Sequence, residues 1–496
     1  MRLFLPMLIL ILLTTSLVSI NTFPISGYAE SNARISYNIS VDEVGLARIV
    51  ITVHALLKNF YGWFFVPKYT NYTVNGVNFK ILCINESYYT FYYNLSFYIF
   101  DEGMINVTWT MMYASLIVEG NAYFLSPPIN VLPHAETDIT VVLKGSSPTY
   151  INPPTNRVSE PYNNTIVLHY RSRALPNAIF RIEVEYSVKD QKNIERNVWK
   201  LPGSTKLIIE APSYYTAIAL KVYHIYREVY PFLVDILQTN LSYVKVKFFA
   251  PRHDEVNILG YVPIEHVRPI DTVMLNPFWI RSLPGAIEQG AVHELIHVLL
   301  FNKGLNAERF LWLHEGLAEY LSLSLLEKYP ETKEWCEEKI NEYMSENPNC
   351  ATLFSWRPGE IHPWLYCCAC RLMRNLVGEN ITKLKRFFSL LPNFKNVTNN
   401  EEIIALFSIA GLNVTAFKDM KLPTDWGLVR FYEDYYRKRA PNVNPRAIII
   451  NKVLIIIGIL FAIFLITLFV LTYRIRRRYR ETLILYNPLA SRSPIG

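Results

Sequence analysis

The stretch Gly290-Ala291-Val292-His293-Glu294-Leu295-Ile296-His297-Val298-Leu299-Leu300 constrains the fold more than any other part of the chain. It reads as an apolar helix interrupted by three ionisable residues, and burying these is costly unless something satisfies them. His293 and His297 stand at i and i+4, so both imidazoles leave one face of the helix. They can therefore grip a single ion at about 2.0–2.1 Å from each nitrogen. Glu294 sits beside that face. It is too close to His293 in sequence to complete the same coordination shell easily, but it can reach a water on the ion and take its proton. Zinc brings the pKa of such a water from about 15.7 to about 7, so base and nucleophile would be supplied together.

A second stretch, Trp312-Leu313-His314-Glu315-Gly316-Leu317-Ala318-Glu319-Tyr320, follows after a short interval. Residues 298–314 suffice for the first helix to end near Asn302-Lys303-Gly304, for the chain to turn, and for a second helix to bring Glu315 to the open corner of a tetrahedral site. Two neutral imidazoles and one carboxylate leave the fourth position free, as in a catalytic rather than a structural zinc. Glu319, one turn after Glu315, can accept a hydrogen bond from a ligand imidazole, with His293 expected, and fix its tautomer. His314 competes as third ligand, but a one-residue helical step turns it far from the Glu315 direction.

HELIH followed by WLHEGLAEY resembles the gluzincin metallopeptidases, in particular the aminopeptidase N and thermolysin-like branch with its H-E-x-x-H and later W-L-x-E-G-x-A motif. The resemblance covers roughly residues 203–420. It implies a Zn2+ cofactor held by His293, His297 and Glu315, with Glu294 as general base in the hydrolysis of peptide bonds by a zinc-bound water. Tyr366, in LYCCACRLMRNLVGENITKLKRFF, is similar in placement to the tyrosine whose hydroxyl stabilises the oxyanion in aminopeptidase N-like enzymes. His362, just before Pro363, is the rival donor. Two departures leave aminopeptidase and endopeptidase activity both open. The interval from the second histidine to the third ligand is one residue shorter than the aminopeptidase norm. The exopeptidase signature G-x-M-E-N is also missing upstream, where Gly285-Ala286-Ile287-Glu288-Gln289 imitates it but reads as the first turn of the zinc helix. The alternative functions are a catalytically silent, zinc-stabilised surface binding protein and a structural or adhesion protein. Glu294 favours the enzyme, because a silent site needs no base beside its ion.

The expected fold class is α+β. After a signal peptide at 1–28, a β-sandwich-like extracytoplasmic region is expected over 29–202, with strands such as Arg34 to Val41 and Ala47 to Val53. A thermolysin-like catalytic domain, a small sheet plus a helical body, follows over 203–420. Its helices are expected near 214–237, 286–301, 310–328, 331–346, 363–377 and 380–391. A stalk (421–450), a single transmembrane helix (451–473) and a basic cytoplasmic tail (474–496) complete the chain. The uncharged run Val453 to Leu471 is long enough to span a bilayer, and Arg474, Arg476, Arg477, Arg478 and Arg480 follow directly. The expectation is thus a single-pass cell-membrane protein with its catalytic domain outside and a peptide or protein substrate. Asn-x-Ser/Thr acceptors at Asn38, Asn71, Asn85, Asn94, Asn106, Asn163, Asn240, Asn380, Asn396 and Asn413 agree with that orientation. The formal charge of +7 is concentrated in the arginine-rich tail, leaving no electrostatic footprint for nucleic acid. Of the cysteines, Cys336 and Cys350 flank one short helical stretch and are the preferred disulfide. Cys367, Cys368 and Cys370 read as packing or disulfide residues rather than a metal cluster.

Overall fold

The computed structural model describes residues 32–439 and 470–474, apart from 57–58, 90, 133–134, 156, 160–163, 172–178, 190–193, 257, 266–267, 270–271, 278–283, 347, 361 and 379. The expected signal peptide, and the basic tail beyond Arg474, lie outside the described residues.

Strict alternation builds the first part of the chain. In β1 (Ala33–Val41) every second residue, Ala33, Ile35, Tyr37, Ile39 and Val41, is buried, as the two-residue period of a strand requires. The strands that follow are β2 (Ala47–Ala55), β3 (Phe60–Pro67), β4 (Tyr72–Glu86), β5 (Tyr92–Met111), β6 (Ser115–Val118), β7 (Asn121–Leu125), β8 (Ala135–Lys144), β9 (Ser146–Asn152), β10 (Arg157–Ser159), β11 (Thr165–Arg171) and β12 (Glu183–Ser187). They form an eight-stranded sheet in the order β10-β11-β8-β1-β2-β5-β3, with β4 also paired to β5, and a four-stranded sheet in the order β6-β7-β12-β9. Ile35, Ile49, Val107 and Val141 of the larger sheet share one core with Ile117, Phe124 and Val184 of the smaller. The region is therefore two sheets packed on a common apolar layer.

The second part is a five-stranded sheet backed by helices. Its strands are β13 (Ile194–Lys200), β14 (Lys206–Pro212), β15 (Tyr243–Phe248), β16 (Gly260–Tyr261) and, after the short hairpin of β17 (Ile264–Glu265) and β18 (Arg268–Pro269), β19 (Thr272–Leu275). The order is β13-β14-β15-β19-β16, with β14, β15 and β19 parallel and β16 an antiparallel edge. Helix α1 (Thr216–Leu237) makes the crossover between β14 and β15, as a parallel pair needs. The helical body then runs through α2 (Ala286–Asn302), α3 (Ala307–Leu326), α4 (Pro330–Ser345), α5 (Pro363–Val377), α6 (Thr382–Leu390), α7 (Asn400–Ala410), α8 (Thr415–Asp419) and α9 (Trp426–Arg439). Helix α1 is tied to α2 by the Tyr226 hydroxyl, which donates to the Ala291 carbonyl at 2.8 Å.

Three expectations change. The chain is α+β, but the single transmembrane helix, and with it the membrane partner and the single-pass membrane location, is corrected. Among the described residues no helix is long and apolar enough to cross a membrane. Helix α9 spans 14 residues and carries Arg430, Glu433, Asp434, Arg437 and Lys438, while most of the apolar run, up to residue 469, lies outside the described residues. Part of the expected stalk is instead this helix, which docks on α7. Val429 is buried, Tyr432 accepts a hydrogen bond from Asn399 Nδ2 at 2.8 Å, and Tyr436 bonds to Glu402. The expected Cys336–Cys350 pairing is replaced by Cys350–Cys368. Cys336 points into the core from α4 as a free thiol, whereas Cys350 lies on the segment that runs back beside α5.

Candidate active site

Helix α2 is buried along its whole course from Ala286 to Leu300, so its polar side chains must find partners inside the protein. It starts at Gly285, whose φ of 90° and whose approach to Thr332 and Trp335 leave no room for a side chain. It ends in a tight turn at Gly304 (φ 88°), where Leu305 N–H returns to the Leu300 carbonyl at 3.1 Å. Asn306 then caps α3 by accepting from Glu308 N–H at 2.8 Å. This short turn lays the two helices side by side and aims Glu315 at the histidine face of α2.

His293, His297 and Glu315 come together as a group that can hold a metal ion. His293 Nε2 lies 3.1 Å from His297 Nε2 and 3.1 Å from Glu315 Oε2, and His297 Nε2 lies 3.4 Å from Glu315 Oε2. Around an ion with bonds of about 2.0–2.1 Å, neighbouring corners of a tetrahedron are about 3.3–3.4 Å apart. The three donor atoms thus already form one face of such a polyhedron, and the residues present fit the ion.

The far nitrogens are also engaged. His293 Nδ1 lies 2.9 Å from Glu319 Oε2. Glu319 is held in turn by Gln289 Nε2 at 3.2 Å and by the Tyr343 hydroxyl, which donates to Oε1 at 2.8 Å. His297 Nδ1 lies 3.3 Å from His314 Nδ1, and His314 Nε2 lies 3.2 Å from the Leu305 carbonyl oxygen.

The charges are mutually dependent. Burial works to raise Glu315, but His297 and His293 outweigh it and hold the carboxyl well below its ordinary range. Burial works to lower His293, yet the carboxylates of Glu315 and Glu319 prevail and hold the imidazole well above its ordinary value. Burial also works to raise Glu319, and His293 and Tyr343 bring it down. Burial, with His297 adding to it, drives His314 down to about 3.

Glu294 is buried beside this cluster, and desolvation pushes its carboxyl upward despite the two histidines. The edge strand passes close by. A Cβ on Gly260 would lie 2.9 Å from Glu294 Cγ. Tyr366, on α5, packs edge-on against Trp356 with ring centroids 4.8 Å apart. Its phenol is pushed up by burial first and then by the charges of Glu315, Glu294 and Glu319. His362 is instead engaged with Glu360 at 3.9 Å and with the Trp364 ring, at the exposed start of α5.

Four members of this environment were not singled out from the sequence in these roles: His314, Gln289, Tyr343 and Gly260. Tyr343 and Gly260 arrive from distant segments and carry no local signal. Gln289 precedes His293 by one helical turn and His314 sits directly before Glu315, so helical spacing was their available signal.

No protein-family model matches the sequence, and no curated protein matches it. Among solved structures, the chain is similar to the crystal structure of Legionella pneumophila aminopeptidase A in complex with aspartic acid, with 12% identity and a TM-score of 0.33, covering 78% of this chain and 49% of that one. The chain spans about half the length of that protein. A likeness this loose leaves fold and chemistry to be read from the chain's own residues.

Proposed function

We propose that the chain is a zinc metallopeptidase whose ion is held by His293, His297 and Glu315 and whose general base is Glu294. The observation that carries this reading is the face of three donor atoms, 3.1, 3.1 and 3.4 Å apart, with a buried carboxylate next to it. Two imidazoles and a carboxylate with an open fourth position are the donor set of a hydrolytic zinc. When bound, such an ion supplies Lewis acidity to a water and to the carbonyl under attack.

The remaining work falls to the chain. Glu294 takes the proton from the attacking water and carries it to the departing amine, and its desolvated carboxyl has been raised toward the range where it can do both. Tyr366 donates its O–H to the oxygen that becomes negative in the tetrahedral intermediate, a role its elevated phenol suits because the proton stays on it. Glu319 orients His293 through Nδ1. Among the described residues the strand β16 forms the edge of the five-stranded sheet beside Glu294, and an extended peptide can add there as a further strand. This arrangement favours a polypeptide substrate over a small ester or amide.

The test is a peptide library presented to the wild type and to Glu294→Gln, each with its metal content measured. Cleavage by the wild type with a loss of about 10²–10⁴-fold in the variant, at unchanged metal content, is the expected result. Equal inertness of both proteins across varied peptides while zinc stays bound would sink the enzyme reading. The cleavage positions also distinguish release of N-terminal residues from internal cuts.

A further inference from the structure

We infer that His314 is a positioning residue for the metal site, a neutral hydrogen-bond acceptor that holds His297 as its Nδ1–H tautomer and thereby presents His297 Nε2 to the ion. The inference rests on the metal site of the preceding reading and adds to it a side chain that is neither ligand nor base.

The direction of each proton follows from the acceptors. The Leu305 carbonyl oxygen can only accept, so His314 Nε2, at 3.2 Å, must carry a hydrogen and donate it. A neutral imidazole has one such hydrogen, which leaves His314 Nδ1 with a lone pair. That lone pair faces His297 Nδ1 at 3.3 Å, so His297 donates from Nδ1 and its own lone pair lies on Nε2. Nε2 is the atom that stands 3.1 Å from His293 Nε2 and 3.4 Å from Glu315 Oε2. The opposite assignment sets two acceptors against each other. Were His314 to carry its hydrogen on Nδ1 instead, its Nε2 lone pair would face the Leu305 carbonyl oxygen at 3.2 Å, and His297 would have to accept at Nδ1 and carry its own hydrogen on Nε2.

The packing keeps this arrangement from relaxing. His314 is fully buried, its ring lies within 15° of parallel to that of His297, and Phe301 packs on it with centroids 4.7 Å apart. Delivery is local, because His314 directly precedes Glu315, so one turn of α3 brings both ligand and positioner to α2. The two ligand histidines are therefore held by unlike partners, His293 by a carboxylate and His297 by an uncharged ring. A carboxylate in place of His314 would add a further negative charge to a buried cluster that already holds Glu315, Glu319 and Glu294.

The experiment uses the whole protein as wild type, His314→Asn and His314→Leu, each checked for folding by circular dichroism. Asparagine offers its Oδ1 near the place of the imidazole Nδ1, whereas leucine fills the volume without an acceptor. Zinc affinity is measured by chelator competition, and the His297 tautomer in the metal-free protein by ¹⁵N–¹H correlation across the ring. The expected results are an Nδ1–H tautomer of His297 in the wild type, a loss of about 10–100-fold in zinc affinity for His314→Leu, and an affinity close to the wild type for His314→Asn. The inference is overturned if His297 in the wild type is an Nε2–H tautomer, if His314→Leu binds zinc as tightly as the wild type, or if a folded His314→Asn loses as much as His314→Leu. Failure of the wild type to bind any divalent ion would sink the metallopeptidase reading instead, while the tautomer measurement in the metal-free protein still decides the role of His314. Should the leucine variant not fold, the asparagine variant and the wild-type tautomer carry the decision.

Discussion

Replacing Gly260 by alanine tests the contact between the edge strand β16 and the proposed base. The added methyl would lie 2.8 Å from the Met274 carbonyl oxygen, 2.9 Å from Glu294 Cγ and 3.1 Å from Leu275 Cδ2. An ordinary carbon contact is about 3.5 Å or more, so the new atom is roughly 0.6 Å too close to both Glu294 and a backbone oxygen. The backbone cannot yield easily, and the displacement falls on Glu294 and on β16 itself. Overpacking of this kind costs about 1–3 kcal/mol, of which the lower entropy of alanine in the unfolded chain returns about 0.5–1 kcal/mol. A carboxylate shifted by half an ångström or more costs turnover as well. A 1 Å misplacement can cost about 10²-fold, so a fall of roughly 10-fold or more in kcat is expected, with metal content unchanged. The assay is turnover of a peptide cleaved by the wild type, with zinc content and thermal melting measured on the same samples. Gly290→Ala is the control. Its methyl would meet only Leu259 Cβ at an ordinary 3.6 Å, and inside helix α2 it should be neutral or stabilising by about 0.5–1 kcal/mol. Full turnover and an unchanged melting temperature in Gly260→Ala would refute the placement of Glu294 against this strand.

Tyr366→Phe should lower kcat by about 10²–10³-fold with little change in KM, while His362→Ala stays near the wild type; steady-state kinetics on one peptide decides between the two donors. The metal-free protein should lose stability as pH falls below about 6.5. His314, driven down to about 3, refuses a proton that the unfolded chain accepts, at a cost of up to about 1.4 kcal/mol per pH unit through that window. Glu315, held low by its imidazoles, adds a loss of the same sign below the ordinary carboxylate value. His293, held high, contributes stability that is complete below about 6.5 and disappears as pH rises through its folded value, so denaturant midpoints across pH should pass through a maximum rather than climb steadily into acid. Peptide mapping under non-reducing conditions should recover Cys350 joined to Cys368. Replacing both by alanine should cost about 3 kcal/mol, the chain-entropy value for a sequence separation of 18.

What could be read from the sequence was what depends on local spacing. His293 and His297 share a helix face because they stand at i and i+4, and Glu315 and Glu319 repeat that spacing on the next helix, so both halves of the cluster were legible before their contact was known. The alternation in β1 and β2 was equally plain. What was not legible depends on distant segments. Cys350 meets Cys368 because the chain after α4 doubles back along α5, and cysteine spacing carries no information about that turn. Tyr343 reaches Glu319 from another helix, and Gly260 reaches Glu294 from a strand two residues long. Helix α9 was overlooked for a different reason. Val429, Tyr432 and Tyr436 stand at helical spacing, but the charges around them read as a solvated stalk until α7 supplies the surface they cover.

The claim on which the account rests is that a single ion sits on the face formed by His293, His297 and Glu315. X-ray absorption at the zinc edge, together with anomalous diffraction from crystals of the purified protein, measures this directly. The expected outcome is one zinc per chain, with two nitrogens at about 2.0–2.1 Å and a carboxylate oxygen at about 2.0–2.2 Å. A protein that retains no zinc after dialysis against it, or an ion bound by other residues, would contradict the account.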